Sequence, residues 1–511
     1  MPPFDRAAAA AHADATAAGW CAEGGPGGAI ILLDRDGPTH AACGGLADLG
    51  TAQAITPATA FRWASITKQV LAATTLRAGP PFESTLGEHL AELSPGIGAV
   101  TLARALDMTS GLPDAMEAAW QCHVPPSAAM SRAMLYHFVA RLPGLNYPQG
   151  TEISYTNTGY RLVQQIIEKR IGPLGAAWRE AYFRPLGLHA TQFPEDWTEV
   201  VPALARGYWR DDRGWHEGRY GPHFSGSGGL AGSATDLAVW CAALMAGAGP
   251  LAGVLDALSA PRRLTDGQET GYGLGLGRSP LGPHIFLGHG GSLPGFKNHV
   301  LVNRDLDAGV VVLTNREDTD SLGLALAVMA AGCGVTQAPP VAPGTLRPGL
   351  YAAEDGGPFW IEVEGAGVTF LGTTERLYDG GDGWAVSRSP YMWIRLRHEG
   401  GRHDGAAIAG AVNHVARRFV PVRDARCDPA WAGDWRCAET GAAFTVAPGG
   451  EALTMGAGPL RATMPLTPLG GGRALFRRAD GPWAQLPCLS FRGDTVRVVT
   501  NRCRVLDFSR A

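Results

Sequence analysis

The stretch Phe61-Arg62-Trp63-Ala64-Ser65-Ile66-Thr67-Lys68-Gln69 decides how the rest of this chain is read. It sets a serine and a lysine three residues apart where a helix is expected to begin at Ser65 and run toward Leu76. Positions i and i+3 of a helix share a face, so the Lys68 ammonium can reach the Ser65 hydroxyl. A serine hydroxyl alone is a weak nucleophile. A lysine held beside it, near the positive end of a helix dipole and shielded from water, loses its proton more readily and can act as its base. Composition sharpens the signal: Lys68, Lys169 and Lys297 are the only lysines, every other Lys/Arg position being an arginine, which does not deprotonate. A capped helix with an exposed lysine has the same letters, so the motif needs partners elsewhere in the chain.

At 511 residues the chain suggests two to four domains with ample apolar material for a large core. A net charge of -4 offers no basic field for nucleic acid. The alanine-rich start is interrupted by His12 and Asp14 and does not read as an export signal. No apolar run approaches the ~20 residues of a membrane span. Nine cysteines without a CxxC pair read as reduced thiols of a cytoplasmic protein, which disfavours a structural metal.

Taken in order, residues 7–19 read as a helix, 29–33 as a buried strand, and Asp36-Gly37 as a turn into a second strand ending near Ala42. The helix after Ser65 is apolar beyond Gln69, so it is expected inside the domain against that sheet. Further helices are expected over 101–109 and 127–141, and an amphipathic one from Tyr160 to Ile171 follows a loop that presents Tyr155. Residues 207–226 read as a long aromatic loop bordering a site, and Ser233 as the cap of a helix reaching Met245. A glycine-rich strand pair is expected over 264–277, then strands at 284–288, 296–303 and 308–314 and a helix over 319–333. Helices around an antiparallel sheet built from both ends of the segment give an α+β domain for residues 1–335. The Pro-rich stretch 336–344 reads as a linker, after which helical periodicity disappears. Pro348-Gly349-Leu350-Tyr351 and Ala432-Gly433-Asp434-Trp435 begin a faint repeat, which suggests two small antiparallel β-barrel domains, 345–425 and 426–511.

Two more motifs complete a constellation. Tyr155-Thr156-Asn157 is the only Tyr-x-Asn in the chain. His289-Gly290-Gly291-Ser292 is weaker as a pattern, because His398-Glu399-Gly400 and His403-Asp404-Gly405 repeat the His-x-Gly spacing by chance. Its setting raises it: an edge strand, two glycines that let a substrate backbone lie alongside, and a serine whose N–H can face the site. Nucleophile, bases and an oxyanion donor together make an acyl-transfer set.

With these motifs the chain resembles the penicillin-recognising serine hydrolases, the group of class C β-lactamases and D-Ala-D-Ala carboxypeptidases, and most closely the D-stereospecific aminopeptidases. The likeness runs through Phe61–Gln69, Thr109-Ser110-Gly111-Leu112, the Tyr155 motif, Gly228-Gly229-Leu230-Ala231 and Gly288–Phe296, and includes a tail of two β domains. It implies a β-lactamase/transpeptidase-like catalytic domain in which Ser65 is acylated and Lys68 is its base. Tyr155 would move protons to the leaving amine and from the deacylating water. Asn157 would bind the substrate amide, His289 would hydrogen-bond to Tyr155 or the substrate, and the N–H groups of Ser65 and Ser292, beside Gly291, would form the oxyanion hole. No metal or cofactor is implied.

Carboxylate-binding members carry a lysine at the place of His289. An imidazole mostly neutral near pH 7 is a poor carboxylate anchor, which favours amides or esters cleaved from the amino side. The acidic loop that D-aminopeptidases bring in from their last β domain is short here, the chain passing from Trp483 through residues 484–491 into the next strand. The expected activity is therefore D-aminopeptidase or amidase. A broad esterase or weak β-lactamase is the second expectation, and a catalytically silent peptide- or muropeptide-binding protein the third. The partner is a small peptide, amide or ester. The assembly is left open, with a homodimer among the options.

Overall fold

The computed structural model describes residues 3–399 and 407–511, so the His-x-Gly at His403 lies outside the described residues. Helix α1 (Arg6–Glu23) starts at Asp5, whose carboxylate accepts from the Ala8 N–H, and stops at Gly24 in the left-handed conformation. Strands β1 (Gly28–Asp34) and β2 (Gly37–Gly44) form a hairpin, as the alternation of turn and apolar residues predicts. Helix α2 (Thr67–Ala78) is buried along Thr67–Thr75. Its threonines are tolerated there because Thr74 and Thr75 return their hydroxyls to the Val70 and Leu71 carbonyls. The helix expected from Ser65 thus begins two residues later, and Ser65 sits in the preceding tight turn Ala64–Ile66.

Helix α3 (Ala115–Gln121) has no counterpart in the sequence reading; Asp114 creates it by accepting from the Met116 and Glu117 N–H groups. The helix expected over 127–141 is shorter, Arg132–Ala140, because Pro125-Pro126 precede it and Ser131 sets its start. Helices α4 (Thr158–Ile171) and α5 (Ala234–Ala246) follow as expected. The strand pair expected over 264–277 does not form. Gly267, Gly271 and Gly275 all take positive φ and turn the chain too often for a ladder, leaving isolated bridges at Arg263–Glu269 and Tyr272–Gly277. Strands β3 (Gly277–Leu281), β4 (His284–Leu293), β5 (Phe296–Asn303) and β6 (Ala308–Thr314) then run as successive hairpins, closed by helix α6 (Ser321–Cys333).

The sheet order is β2-β1-β6-β5-β4-β3, antiparallel throughout, with the two ends of the segment joined at β1–β6 (Ala29 opposite Leu313). One face carries Ile30, Leu32, Val310 and Val312 against α1 and α6; the other carries Ile31, Leu33, Val311 and Leu313 on the side of α2 and α5. Period-2 alternation explains why β6 is apolar from Ala308 to Leu313: both of its faces are covered.

Two nine-stranded, barrel-like antiparallel sheets follow, with strands spanning 349–421 and 433–510. Their strand orders share one plan: the first strand pairs with the second on one side and with the last on the other. Gly349–Ala353 and Gly433–Arg436, the two arms of the faint repeat, hold that same position. Among the described residues no single helix is long and apolar enough to cross a membrane.

Candidate active site

Ser65 is fixed from both sides. The strand before it, Ala60–Arg62, pairs with Ala231–Ser233, and the Trp63 N–H donates to the Leu230 carbonyl. Behind it, the Thr67 hydroxyl donates to the Ala64 carbonyl (2.7 Å) and accepts from the Leu230 N–H (3.0 Å). Ala64 is held at φ +52°, a conformation costing of order 1 kcal/mol for a non-glycine residue, which the surrounding bonds impose. Strand β4 passes directly over this turn. A Cβ on Gly291 would lie 2.3 Å from the Trp63 carbonyl oxygen, so only glycine lets the strand come this close.

Lys68 is fully buried, and its Nζ lies within hydrogen-bond reach of Ser65 Oγ (3.1 Å), Asn157 Oδ1 (2.7 Å) and the Ser227 carbonyl (2.6 Å). Burial drives its pKa well below the ordinary lysine value; Asp114 opposes this, and Arg502 and Arg161 add to it. Tyr155 reaches the same serine oxygen from the other side, its hydroxyl donating to Ser65 Oγ at 2.7 Å. Burial pushes its pKa far up, so it is a neutral phenol. Asn157 is tied at its backbone to Asp114, whose Oδ2 accepts the Asn157 N–H (2.9 Å). The structure therefore brings Ser65, Lys68, Tyr155, Asn157, Gly291 and Ser292 to one cavity of about 730 Å³ or to its wall.

A family model described as Beta-lactamase matches residues 6–332. The chain belongs to the beta-lactamase family. Among relatives, the D-aminopeptidase of Brucella canis is 27% identical over 374 residues, covering 71% of this chain and 68% of that protein. Among solved structures, the octameric penicillin-binding protein homologue from Pyrococcus abyssi superposes with TM-score 0.57 at 16% identity, over 98% of this chain and 99% of its own. The D-amino acid amidase from Ochrobactrum anthropi SV3 gives TM-score 0.54 at 20% identity, over 63% of this chain and 98% of its own. The first of these structural likenesses covers nearly the whole chain, both β sheets included, and the second about two thirds of it.

In this beta-lactamase-family chain His289 departs from the expected contact. It does not bond to Tyr155. Its Nδ1 donates to the Gly290 carbonyl (2.5 Å), which makes Nε2 an acceptor, and Tyr272 supplies the hydroxyl (2.9 Å). The contact with Tyr155 is ring to ring: the His289 and Tyr155 centroids lie 6.3 Å apart, and Tyr391 packs beside both, 5.8 Å from the imidazole and 4.9 Å from the Tyr155 ring. His289 is buried and is not among the cavity-lining residues. Burial lowers its pKa to about 3, with Lys68 and His299 acting in the same sense, so the ring is neutral.

The region 207–226 is not one long loop. Tyr208–Asp211 and Gly214–Glu217 form a hairpin, and only Tyr220, Phe224 and Ser225 beyond it line the cavity. The short segment near 484–491 contributes through the hairpin Arg478–Asp480/Trp483–Gln485: Trp483 lines the cavity, while Asp480 is committed to Ser127, accepting from its N–H (2.7 Å) and hydroxyl (2.9 Å).

The β sheets also bring residues that the sequence reading missed. Glu375 and Tyr391 arrive from the first sheet and Arg502 from the second. Burial raises the Glu375 pKa to about 8 and that of Tyr391 to about 12. The available signal was local polarity: Asn501-Arg502-Cys503-Arg504 interrupts two β runs with no glycine or proline to explain the break.

Proposed function

We propose that the chain is a serine hydrolase working through an acyl-enzyme, a D-aminopeptidase that releases N-terminal D-amino acids from small peptides or amides. One observation carries the reading: the Ser65 oxygen is bracketed by Lys68 Nζ and Tyr155 Oη at 3.1 and 2.7 Å. Neutral Lys68 takes the Ser65 proton as Oγ bonds to the substrate carbonyl carbon. The oxyanion is met by the N–H groups of Ser65 and Ser292. The proton then reaches the leaving amine through Tyr155 as the C–N bond breaks, and water follows the reverse route to free the acid. These side chains suffice for every proton transfer, so no metal or cofactor enters the scheme. The D-aminopeptidase relative supports the choice of substrate.

The test is a panel of D- and L-aminoacyl p-nitroanilides assayed on the wild type and Ser65→Ala. Release from the D-alanine compound that vanishes in the variant is the expected result; negligible release beside rapid turnover of other acyl substrates overturns the reading. That second outcome selects a broad esterase or weak β-lactamase on the same residues, which the engagement of Asp480 by Ser127 favours because it leaves the 478–485 hairpin without a carboxylate for a substrate amine.

A further inference from the structure

Arg502 is a cation that the catalytic scheme leaves unused. Its guanidinium carbon lies 5.0 Å from the centroid of the Tyr155 ring, the ring whose hydroxyl holds Ser65 Oγ. Its backbone is immobilised. The Arg502 carbonyl accepts from the Asp114 N–H (2.8 Å) and Asn146 Nδ2 (3.0 Å), its N–H donates to Glu117 Oε2 (3.0 Å), and next to it Gln121 Nε2 donates to the Cys503 carbonyl (2.9 Å). The side chain, by contrast, donates no hydrogen bond to any described residue. Nε is buried without an acceptor, and the nearest carboxylate oxygen, Glu117 Oε1, stands 3.8 Å away. The other Glu117 oxygen is occupied by the Arg502 N–H and the Thr500 hydroxyl, and both Asp114 oxygens are spent on Met116, Glu117 and Asn157 N–H groups. The guanidinium lines the same cavity as Ser65, with 30% of its side chain exposed there.

A planar fork of donors, fixed at its base and lacking acceptors, matches a carboxylate in shape and charge. Through the Tyr155 ring it stands within about 10 Å of the Ser65 oxygen, a span of two to three residues at ~3.4 Å each. We infer that Arg502 is the anchor for a free carboxylate on the substrate, so that the preferred substrates are short D-aminoacyl peptides ending in a carboxylate near the scissile bond rather than simple amides. This gives back, from the second β sheet, the fixed positive charge that a neutral His289 does not supply. The inference rests on Ser65 as the acylated residue and names the substrate class for the proposed activity.

The experiment compares matched pairs that differ only in the carboxylate. D-alanyl-L-alanine against its C-terminal amide probes the leaving side, and p-nitrophenyl hydrogen succinate against p-nitrophenyl acetate probes the acyl side. In the wild type the charged member of one pair is expected to have the higher kcat/KM. Arg502→Met should lower kcat/KM for that member about ten- to a hundredfold more than for its neutral partner, and Arg502→Lys should restore part of the difference. Equal losses on both members, or no loss, overturn the inference. If neither dipeptide is cleaved, the aminopeptidase reading falls while the ester pair still decides the role of Arg502. If Arg502→Met does not fold, or no member of either pair turns over, calorimetric titration of Ser65→Ala with D-alanyl-L-alanine and with its amide decides: tighter binding of the free acid supports the anchor, and equal or weaker binding overturns it.

Discussion

Lys68 and Tyr155 both touch the Ser65 oxygen, and the same burial acts on them in opposite senses. It lowers the pKa of the lysine and raises that of the phenol, so burial biases each toward its neutral form, an amine that can accept a proton and a phenol that can donate one. Activity should therefore rise with pH through an ionisation below the ~10.4 of free lysine. A pH profile of kcat/KM that stays flat up to about pH 10 would point to another base. In the proposed mechanism nucleophile and base act as a unit, so Ser65→Ala, Lys68→Ala and the double variant should lose activity to nearly the same extent, and additive losses in log rate would count against the pairing. His289 acts at one remove. Its hydrogen bonds run to Tyr272 and Gly290, and its ring packs against those of Tyr155 and Tyr391 without bonding to the Tyr155 hydroxyl. His289→Asn should thus lower kcat while leaving KM within about threefold, since wall packing and not a substrate contact is lost. A KM rise with unchanged kcat would put the imidazole on the substrate after all.

At the scale of elements, the decisive contact is the crossing of β4 over the Ser65 turn. From Leu287 to Leu293 the strand pairs with β5, while β3 covers it only as far as Gly288, so the Gly-Gly-Ser segment has one open edge facing the cavity. Lys297, the third of the scarce lysines, stiffens the far end: it donates to Ser292 Oγ (2.8 Å) and pairs with Glu317 (2.7 Å), whose second oxygen accepts the Gly295 N–H (2.8 Å). Gly291→Ala must push the strand off the Trp63 carbonyl and carry the Ser292 N–H with it, so kcat/KM should fall about a hundredfold or more, the cost of losing one oxyanion donor. Gly290→Ala is the control: its Cβ would meet the His299 ring at 3.1 Å and the Tyr391 hydroxyl at 3.3 Å, side chains that can give way. Similar losses in both variants would contradict the oxyanion role assigned to this strand. These elements were legible because their signals are local: i, i+3 spacing for Ser65 and Lys68, a strand with paired glycines, an apolar run for β6. The 264–277 segment misled because glycines at positive φ look, in sequence, like the turns of a hairpin.

Across the whole molecule, what could not be read in advance is what arrives from far along the chain. Arg502 lies more than three hundred residues from Tyr155, and no periodicity marks a loop that packs on another domain. The structure shows how that packing reaches the chemistry. Glu152, three residues before Tyr155, is buried and accepts from both terminal nitrogens of Arg504 (2.9 and 2.7 Å), with Arg417 of the first β sheet at 3.5 Å and Asn413 at 3.4 Å. Both sheets therefore hold the segment that presents Tyr155. Removing Arg504 leaves the buried Glu152 with only the longer ionic contact to Arg417, against a cost of about 3–5 kcal/mol for a fully uncompensated buried charge. Arg504→Met should accordingly lower the denaturant midpoint and also reduce kcat, because displacing a catalytic side chain by about 1 Å can cost a hundredfold in rate. Because Glu152 also pairs with the buried Arg417, the variant that removes every charge of the cluster is Glu152→Leu with Arg504→Met and Arg417→Met, and it should recover part of the stability, since apolar replacement of buried ion pairs is often close to neutral. Activity should recover less than stability does, the ties on Tyr155 being gone. If the triple variant is no more stable than Arg504→Met alone, the cluster is not the link between the sheets and the site, and Tyr155 must be held by the Asp114–Arg502 backbone contact instead.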